Sequence, residues 1–422
     1  MAAKTDKEKL KGIAKEKKER RSRLKKNRIS GGLKRRVAAE KVLSVLWLFA
    51  AAYIYLRTDS FVGPALISGA VVLYAALLIL GSLSGKKLAV SIDTDARMEK
   101  DQGGTARIRI RNGSRTPVLK GYLLLATDNV LTGEKKEMEV PFSVGGHGAA
   151  EQVVDLKSSR CGKVLIETKA AFVTVPLCLR CVIREAEAKA AAVVMPGIAE
   201  IETEESSREA LDMESFRYSQ VKKGTDPSET FNLREYQPGD SVKRIHWKLT
   251  YKTGDVMIKE ASYPIYNSML LLLETSFRDR ESLKPEWMDA MAEAMMSVAS
   301  ALTDRGVSYE VGIYDNGEGK LFLKRIDSED DLWAAAGSIL GARRAAAQTD
   351  AVTRFREEFS GQPFAHMVYV TAGKEEADFS AFSGESVISV LRCGAKGITE
   401  GEITEYGFLP ETWEQDLEYI RI

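Results

Sequence analysis

Two long apolar runs near the N-terminus constrain the fold of this chain more than any other feature of its sequence. Residues 42–56 and 61–83 contain no charged side chain and are separated by only four residues. The second run has 23 residues, and as an α-helix it would rise about 35 Å, enough to cross a hydrocarbon core of about 30 Å. The first run, of 15 residues, is short and needs flanking residues to span. Together the runs predict a two-helix transmembrane hairpin over 42–83.

A cleaved signal peptide and a buried pair of core helices are the alternatives to this hairpin. A signal peptide has a short basic region followed by one apolar run, whereas a long basic segment and two runs occur here. Core helices would carry polar residues at helical spacing, and 61–83 carries no charge at all. The hairpin is therefore the favoured interpretation.

Charge is distributed unevenly along the chain. The totals of 61 Lys and Arg against 60 Asp and Glu nearly cancel, but residues 1–41 hold 17 basic and 5 acidic residues, which leaves 44 and 55 for the rest. Residues 1–41 have few apolar side chains, so we predict a disordered, cytoplasmic basic arm. Its expected partner is anionic membrane lipid; duplex DNA would also attract such an arm, but no specific nucleic acid is expected.

Basic residues on both sides of the predicted hairpin set its orientation. The positive-inside rule places them on the cytoplasmic side, so we expect a multi-pass protein of the cell membrane with two spans and with its N- and C-termini in the cytoplasm. Small residues in the second run, such as Ala65 and Gly69, would allow close helix packing and a homo-oligomer.

The chain after the hairpin changes its pattern twice. Residues 87–196 show short segments of period-two alternation separated by glycine and asparagine turns, which is typical of an all-β sandwich. Residues 197–230 are rich in acidic side chains and predict a linker. From 231 to 422, apolar strands alternate with helices of helical apolar spacing, which favours a doubly wound α/β domain. The predicted fold class is therefore multi-domain: hairpin, β-sandwich and α/β domain.

The sequence carries no recognisable catalytic motif. Cys178 and Cys181 form a CxxC in a strand-like run, but no second pair completes a zinc site, and the chain has only three histidines. Nucleophile-elbow, zinc-protease and phosphate-loop motifs do not occur. We therefore predict a protein that is not an enzyme and has no bound cofactor.

The most informative segment lies between 234 and 248. A proline and a glycine force a turn, Asp240 can cap a short helix, and several cations surround two apolar side chains. Two interpretations stay open: a structural corner that pairs Arg234 or Arg244 with Asp240 and buries Trp247, or a partner-binding surface. The candidate residues are Arg234, Tyr236, Pro238, Gly239, Asp240, Arg244, Ile245, Trp247 and Lys248.

This segment, Arg-x-Tyr-x-Pro-Gly-Asp-(x)3-Arg-Ile-x-Trp-Lys, closely resembles the signature of the bacterial domain of unknown function 58 family. The resemblance implies two membrane spans, a β-sandwich-like region and a von Willebrand factor A-like α/β domain. It also implies association with a MoxR-type AAA+ ATPase and a transglutaminase-like membrane protein. The function that follows is a membrane-anchored, non-enzymatic scaffold or assembly protein whose cytoplasmic α/β domain binds protein partners, the ATPase first among them.

The resemblance further implies a Mg²⁺ site, here in degenerate form. Oxygen ligands at the carboxyl edge of the sheet would hold the ion, but a longer acid and an arginine replace two of the expected ligands. We therefore expect Mg²⁺ to be absent and Arg278 to act as a counter-charge for Glu274; an Mg-dependent ligand-binding or hydrolytic domain is the alternative. The positions concerned are Glu274, Ser276, Arg278, Thr349 and Asp350.

Overall fold

The computed structural model describes residues 62–421 apart from 175–180, 205–216, 238–239, 266–268, 360–363, 375–376, 381 and 383–385, together with scattered positions between 38 and 54. The predicted basic arm, 1–41, therefore lies outside the described residues except at position 38. The predicted acidic linker, 197–230, is described only at 197–204 and 217–230, which include a strand over 202–204 and most of a strand over 217–235.

The region of the apolar runs differs from the sequence prediction. Within the described part of the chain, no helix has the length and apolar character needed to cross a membrane. This finding overturns the two-helix transmembrane hairpin over 42–83 and the multi-pass location in the cell membrane. The continuous helix described in this region is α1 (Val62–Leu83). Its last turn is bonded to the β region, because Arg184 donates to the carbonyl oxygens of Ser82 and Ser84 at 2.9 and 2.8 Å.

Residues 88–195 form two sheets around one apolar core. Strands β1, β3 and β6 make an antiparallel sheet, and a second sheet has the order β2-β9-β7-β4-β5, with β8 paired to β7. Both sheets contribute buried side chains to the same cluster, so this β region is a sandwich. The strands are β1 (Leu88–Thr94), β2 (Arg97–Glu99), β3 (Gly104–Asn112), β4 (Val118–Asn129), β5 (Lys135–Val144), β6 (Ala149–Leu156), β7 (Gly162–Thr174), β8 (Cys181–Arg184) and β9 (Ala188–Met195).

A long hairpin separates the β region from the α/β region. After the short strand β10 (Glu202–Glu204), strand β11 (Arg217–Glu235) pairs antiparallel with β12 (Met257–Ile265). Between them lie a 3-10 turn (Val242–Arg244) and the short helix α2 (Trp247–Thr253).

The rest of the chain is an α/β region built on a seven-stranded sheet in the order β16-β15-β13-β18-β19-β21-β20. Its five central strands run parallel, and the strand at each edge is antiparallel. These strands are β13 (Met269–Leu273), β15 (Tyr309–Asp315), β16 (Lys320–Ile326), β18 (His366–Ala372), β19 (Val387–Cys393), β20 (Gly397–Thr399) and β21 (Ile403–Phe408). Outside the sheet, β14 (Ser276–Phe277) pairs with β17 (Ala345–Ala346), and β22 (Tyr419–Arg421) with β10.

Helices cover both faces of this sheet. One face packs on α3 (Pro285–Asp304), α4 (Glu329–Ile339) and α6 (Trp413–Asp416), and the other on α5 (Ala351–Glu358). Every residue of β13 is buried, as expected for a central parallel strand that meets helices on both sides.

The β region and the α/β region share a core. Leu131 and Cys161 of the β region lie in the same buried cluster as α3. The backbone N–H of Lys163 donates to the carbonyl of Leu340 at 2.8 Å, so apolar packing and backbone bonding join the two regions.

Candidate functional site

The signature segment forms the tip of the β11–β12 hairpin. Helix α2 is fixed at both ends: His246 Nδ1 accepts a hydrogen bond from the N–H of Leu249 at 3.1 Å, and Gly254 ends the helix at φ +85°. That left-handed conformation favours glycine. The Met257 N–H donates to the hydroxyl of Thr250 at 3.0 Å, which ties the helix to the strand that follows.

Arg234 holds the base of this tip through two carboxylates. Its Nη1 and Nη2 each donate to one oxygen of Asp240 at 2.7 Å, and its Nε donates to Glu260 Oε1 at 2.8 Å. The planar guanidinium suits this two-sided, bidentate contact. Because Asp240 also accepts from the N–H of Gln237, its pKa falls to about 2, with the Arg234 contact as the largest cause.

The aromatic side chains of the tip lie at the surface. Trp247 is 66% exposed and Tyr251 is 95% exposed. They are four residues apart on α2, so they lie on the same face of the helix. Arg234 therefore pairs with Asp240 as a structural corner requires, but Trp247 is exposed, and this contradicts the burial that the corner interpretation also required.

Cations surround the two rings. Lys243, Arg244, Lys248 and Lys252 are all exposed. In the described part of the chain, none of the four forms an ion pair with an acidic side chain, although Arg244 lies close enough to Asp240 to help lower its pKa. We call the exposed residues of the turn and of α2 the signature surface: Val242, Lys243, Arg244, Trp247, Lys248, Tyr251 and Lys252.

Two other signature residues, Tyr236 and Ile245, contact residues 256–258. The Tyr236 N–H donates to the Val256 carbonyl at 2.8 Å, while its side chain is partly exposed. Ile245 is half-buried and forms an isolated bridge to Ile258. Pro238 and Gly239 lie outside the described residues.

A second candidate site lies at the carboxyl end of β13. The Glu274 carboxylate is buried and accepts four hydrogen bonds: the N–H groups of Thr275 and Ser276 donate to Oε1 at 2.8 and 2.7 Å, and the Ala351 N–H and the Tyr369 hydroxyl donate to Oε2 at 2.7 and 2.6 Å. Burial is the largest influence on this group and raises its pKa to about 7, against the opposing effect of these hydrogen bonds.

The structure brings some of the predicted degenerate metal positions together. Asp350 caps α5 through a 2.7 Å hydrogen bond from the Thr353 N–H and lies near enough to raise the pKa of Glu274. The Ser276 hydroxyl donates to Asn316 Oδ1 at 3.1 Å, and the Thr349 carbonyl accepts from Arg354 at 3.4 Å. Arg278 is exposed and donates to the carbonyl of Gln348 at 3.1 Å, which directs its Nε to a backbone oxygen.

These residues do not fit a Mg²⁺ site. Four donors occupy the two oxygens of Glu274, so an ion would have to displace hydrogen bonds made by the backbone and by Tyr369. Within the described residues, no cluster of His, Cys, Asp and Glu side chains has the arrangement of a metal site.

Sequence reasoning missed several residues of both sites. Tyr369, on β18, contacts Glu274, and Asn316, in the turn after β15, contacts Ser276. No local motif marks either residue. Glu260 and Tyr251 had a usable signal: Glu260 lies on the strand antiparallel to Arg234, and Tyr251 follows Trp247 by one helical turn in a helix that ends at a glycine.

Residues 232–350 match a family model described as "Protein of unknown function DUF58". The match covers the signature surface, Glu274 and Asp350, and it confirms the family resemblance for this part of the chain. No curated protein matches the sequence.

Similarities to solved structures are weak. A CARDB domain from Pyrococcus furiosus, in complex with di-metal ions, has a TM-score of 0.21 and 14% identity, over 27% of this chain and 91% of that one. An alkylpurine DNA glycosylase of Pseudomonas fluorescens has 0.17 and 16%, over 26% and 32%. A β-glucosidase of Listeria innocua has 0.16 and 8%, over 24% and 16%. This chain therefore spans less than a third of either enzyme.

Proposed function

We propose that this chain is a non-enzymatic scaffold or assembly protein that docks a protein partner on the signature surface. The observation that supports this proposal best is the exposure of Trp247 and Tyr251 on a helix whose base is fixed. Exposed large aromatics are costly to keep in water, and Trp and Tyr are the side chains most enriched at binding hot spots. The Arg234, Asp240 and Glu260 contacts hold the surface in place before a partner arrives, which lowers the entropy lost on binding.

The proposed partner is a MoxR-type AAA+ ATPase. The choice of partner rests on the resemblance of the signature segment to the domain of unknown function 58 family. The choice of docking surface rests on the exposure of Trp247 and Tyr251. We also propose that the α/β region is a von Willebrand A-like domain. Its five central parallel strands and its helices on both faces are consistent with that assignment. The Mg-dependent alternative receives no support from the donors around Glu274.

Binding of the full chain to a purified MoxR-type AAA+ ATPase tests the proposal. We expect the wild-type chain to retain the nucleotide-bound ATPase in a pull-down. Trp247→Ala should weaken this retention by about tenfold or more, which is the effect of losing one hot-spot residue. Ile398→Ala is the matched control, because Ile398 is also exposed but lies on an edge strand of the α/β sheet.

Stability measurements separate docking from folding. Because Trp247 is largely exposed, Trp247→Ala should change the free energy of unfolding by no more than about 1 kcal/mol. If the wild-type chain fails to retain the ATPase, or Trp247→Ala binds as well as wild type, the proposal is refuted. A loss of several kcal/mol in stability would instead restore the buried-corner interpretation.

A further inference from the structure

The signature surface has a charge that differs from that of the chain around it. Residues 232–260 contain six Lys and Arg and four Asp and Glu, a net charge of +2, whereas 42–231 and 261–422 together contain 38 basic and 51 acidic residues, a net charge of −13. The segment that carries the signature surface is therefore basic, whereas the segments on either side of it, 42–231 and 261–422, are together acidic. Such a local field favours encounter with a partner of the opposite sign.

Two of the four acids of this segment pair internally with Arg234, at the base of the tip. Arg234 binds Asp240 and Glu260, and this group of one cation and two carboxylates keeps a net charge of −1. The remaining cations, Lys243, Arg244, Lys248, Lys252 and Lys259, outnumber the remaining acids, Glu235 and Asp255, by five to two. The exposed lysines are thus left for a ligand.

The spacing of the rings and the cations defines the complementary ligand. Trp247 and Tyr251 form one row along α2 at i and i+4, and Lys248 and Lys252 form a second row beside it. The aromatic row offers an apolar contact and the lysine row offers ammonium groups at the same spacing. A matching segment needs apolar side chains one helical turn apart, with carboxylates next to them.

We propose that the signature surface recognises an acidic amphipathic helix of the partner protein, in which apolar side chains cover Trp247 and Tyr251 while carboxylates contact Lys248 and Lys252. This inference rests on the proposed docking function and adds the chemical class of the contacting segment. Charge complementarity favours a carboxylate ligand, because the surface carries more cations than it can satisfy internally.

A synthetic peptide tests the recognition chemistry independently of the ATPase. The probe is a fluorescein-labelled helical peptide with leucines at i and i+4 and glutamates beside them, and binding to the full chain is followed by fluorescence anisotropy. Two control peptides replace the glutamates by lysines or the leucines by alanines. We expect the acidic amphipathic peptide to bind at least about tenfold more tightly than either control.

Variants of the chain locate the contact. Tyr251→Ala should weaken peptide binding by about tenfold, and Lys248→Glu with Lys252→Glu should weaken it further and remove its salt dependence, because the interacting charges are exposed and screened by salt. Lys320→Glu is the matched control, since Lys320 is an exposed lysine at the start of an edge strand and its reversal should leave peptide affinity unchanged.

The outcomes distinguish this inference from the docking function itself. If the ATPase binds in a Trp247-dependent way but the acidic peptide binds no better than the lysine peptide, acidic-helix recognition is refuted and the docking function stands. If a labelled single-stranded oligonucleotide binds and displaces the peptide at equal concentration, the surface is a nucleic-acid site and the inference is also refuted. If the peptide binds as expected and the ATPase does not, the recognition chemistry stands and the partner was chosen wrongly.

Discussion

Glu274 is a buried acid whose protonation is linked to folding. Its pKa is raised from 4.5 to about 7 by burial, so between these values the folded chain holds a proton that the unfolded chain has released. Stability from this group is therefore complete below pH 4.5 and is lost as the pH rises through 7. The loss amounts to about 3 kcal/mol, at 1.36 kcal/mol per pKa unit.

We predict that Glu274→Gln removes this pH dependence. The glutamine amide has no ionisable proton, but its NH₂ group would face the Ala351 N–H, so the variant should be less stable than wild type at pH 5. The difference between the two proteins should shrink by about 3 kcal/mol as the pH rises from 5 to 8. Urea unfolding across this range measures it.

The pH dependence of the wild-type chain alone does not isolate Glu274, because the stability contributed by His366 changes with pH in the opposite direction. Burial lowers the pKa of His366 to about 4, so its contribution to stability is lost as the pH falls from 6.5 towards 4. Subtracting the two unfolding curves cancels this shared term. A constant difference between wild type and variant from pH 5 to pH 8 would show that Glu274 does not titrate in this range.

Single residues show how far sequence reasoning reaches. The Arg234–Asp240 pair was predictable, because the sequence between the two residues contains a proline-glycine pair that predicts a turn, and their charges are opposite. The exposure of Trp247 was not, because an indole flanked by Ile245 and lysines occurs both in cores and at interfaces. Tyr369 reaches Glu274 only because β18 lies beside β13 in the sheet, a pairing that no local pattern specifies.

Helix α5 begins at a cap that two carboxylates share. Asp350 accepts from the Thr353 N–H and Glu274 accepts from the Ala351 N–H, so two of the unpaired donors of the first turn are satisfied. We predict that Asp350→Ala lowers the free energy of unfolding by about 1 kcal/mol, and that Asp350→Asn retains most of the cap. Urea unfolding at pH 7 compares the three proteins.

The same substitution has an effect on Glu274. The charge of Asp350 is one cause of the raised pKa of Glu274, so both variants should shift the pH-dependent loss of stability to lower pH. Equal stability of Asp350→Ala and wild type would mean that water replaces the cap without cost.

Elements were predictable where one periodicity holds over several residues. In β3, Ala106, Ile108 and Ile110 are fully buried and the arginines between them face outward, as the alternation in 105–111 indicates. The two apolar runs have no such periodicity. Their length and their lack of charged residues do not indicate which residues the ends of a helix contact in the folded chain. Arg184, a hundred residues away from Ser84, binds the end of α1, and only the folded chain brings them together.

At the scale of the whole molecule, a partly buried charge cluster joins the β region to the α/β region. Lys100, next to β2, reaches Asp289 and Glu293 of α3 at 2.9 and 2.6 Å. Asp289 also accepts from the Cys161 N–H at 2.7 Å, and Glu293 from the Gly197 N–H at 3.1 Å. Asp289 and Glu293, one helical turn apart, are therefore held in a buried position by one lysine and by the backbone N–H groups of Cys161 and Gly197.

We predict that Lys100→Met weakens the interface between the β region and the α/β region. Removal of the ammonium leaves two buried carboxylates without their counter-ion, and breaking such a pair costs about 3 kcal/mol. The pKa of Glu293 is already raised, with burial as the largest cause, and without Lys100 it should rise further. The variant should therefore recover stability as the pH falls from 8 to 5, when Glu293 takes up a proton.

Two measurements and one control decide this prediction. Urea unfolding at pH 8 should show lower stability for Lys100→Met. It should also separate into two transitions, because loss of the Lys100 contacts with Asp289 and Glu293 lets one region unfold before the other. Lys189→Met removes the exposed pair with Glu167 at 2.8 Å and should leave the unfolding curve unchanged, since surface pairs contribute little. A Lys100→Met curve that coincides with wild type at pH 8 would mean that the shared apolar core around α3, rather than the charge cluster, holds the two regions together.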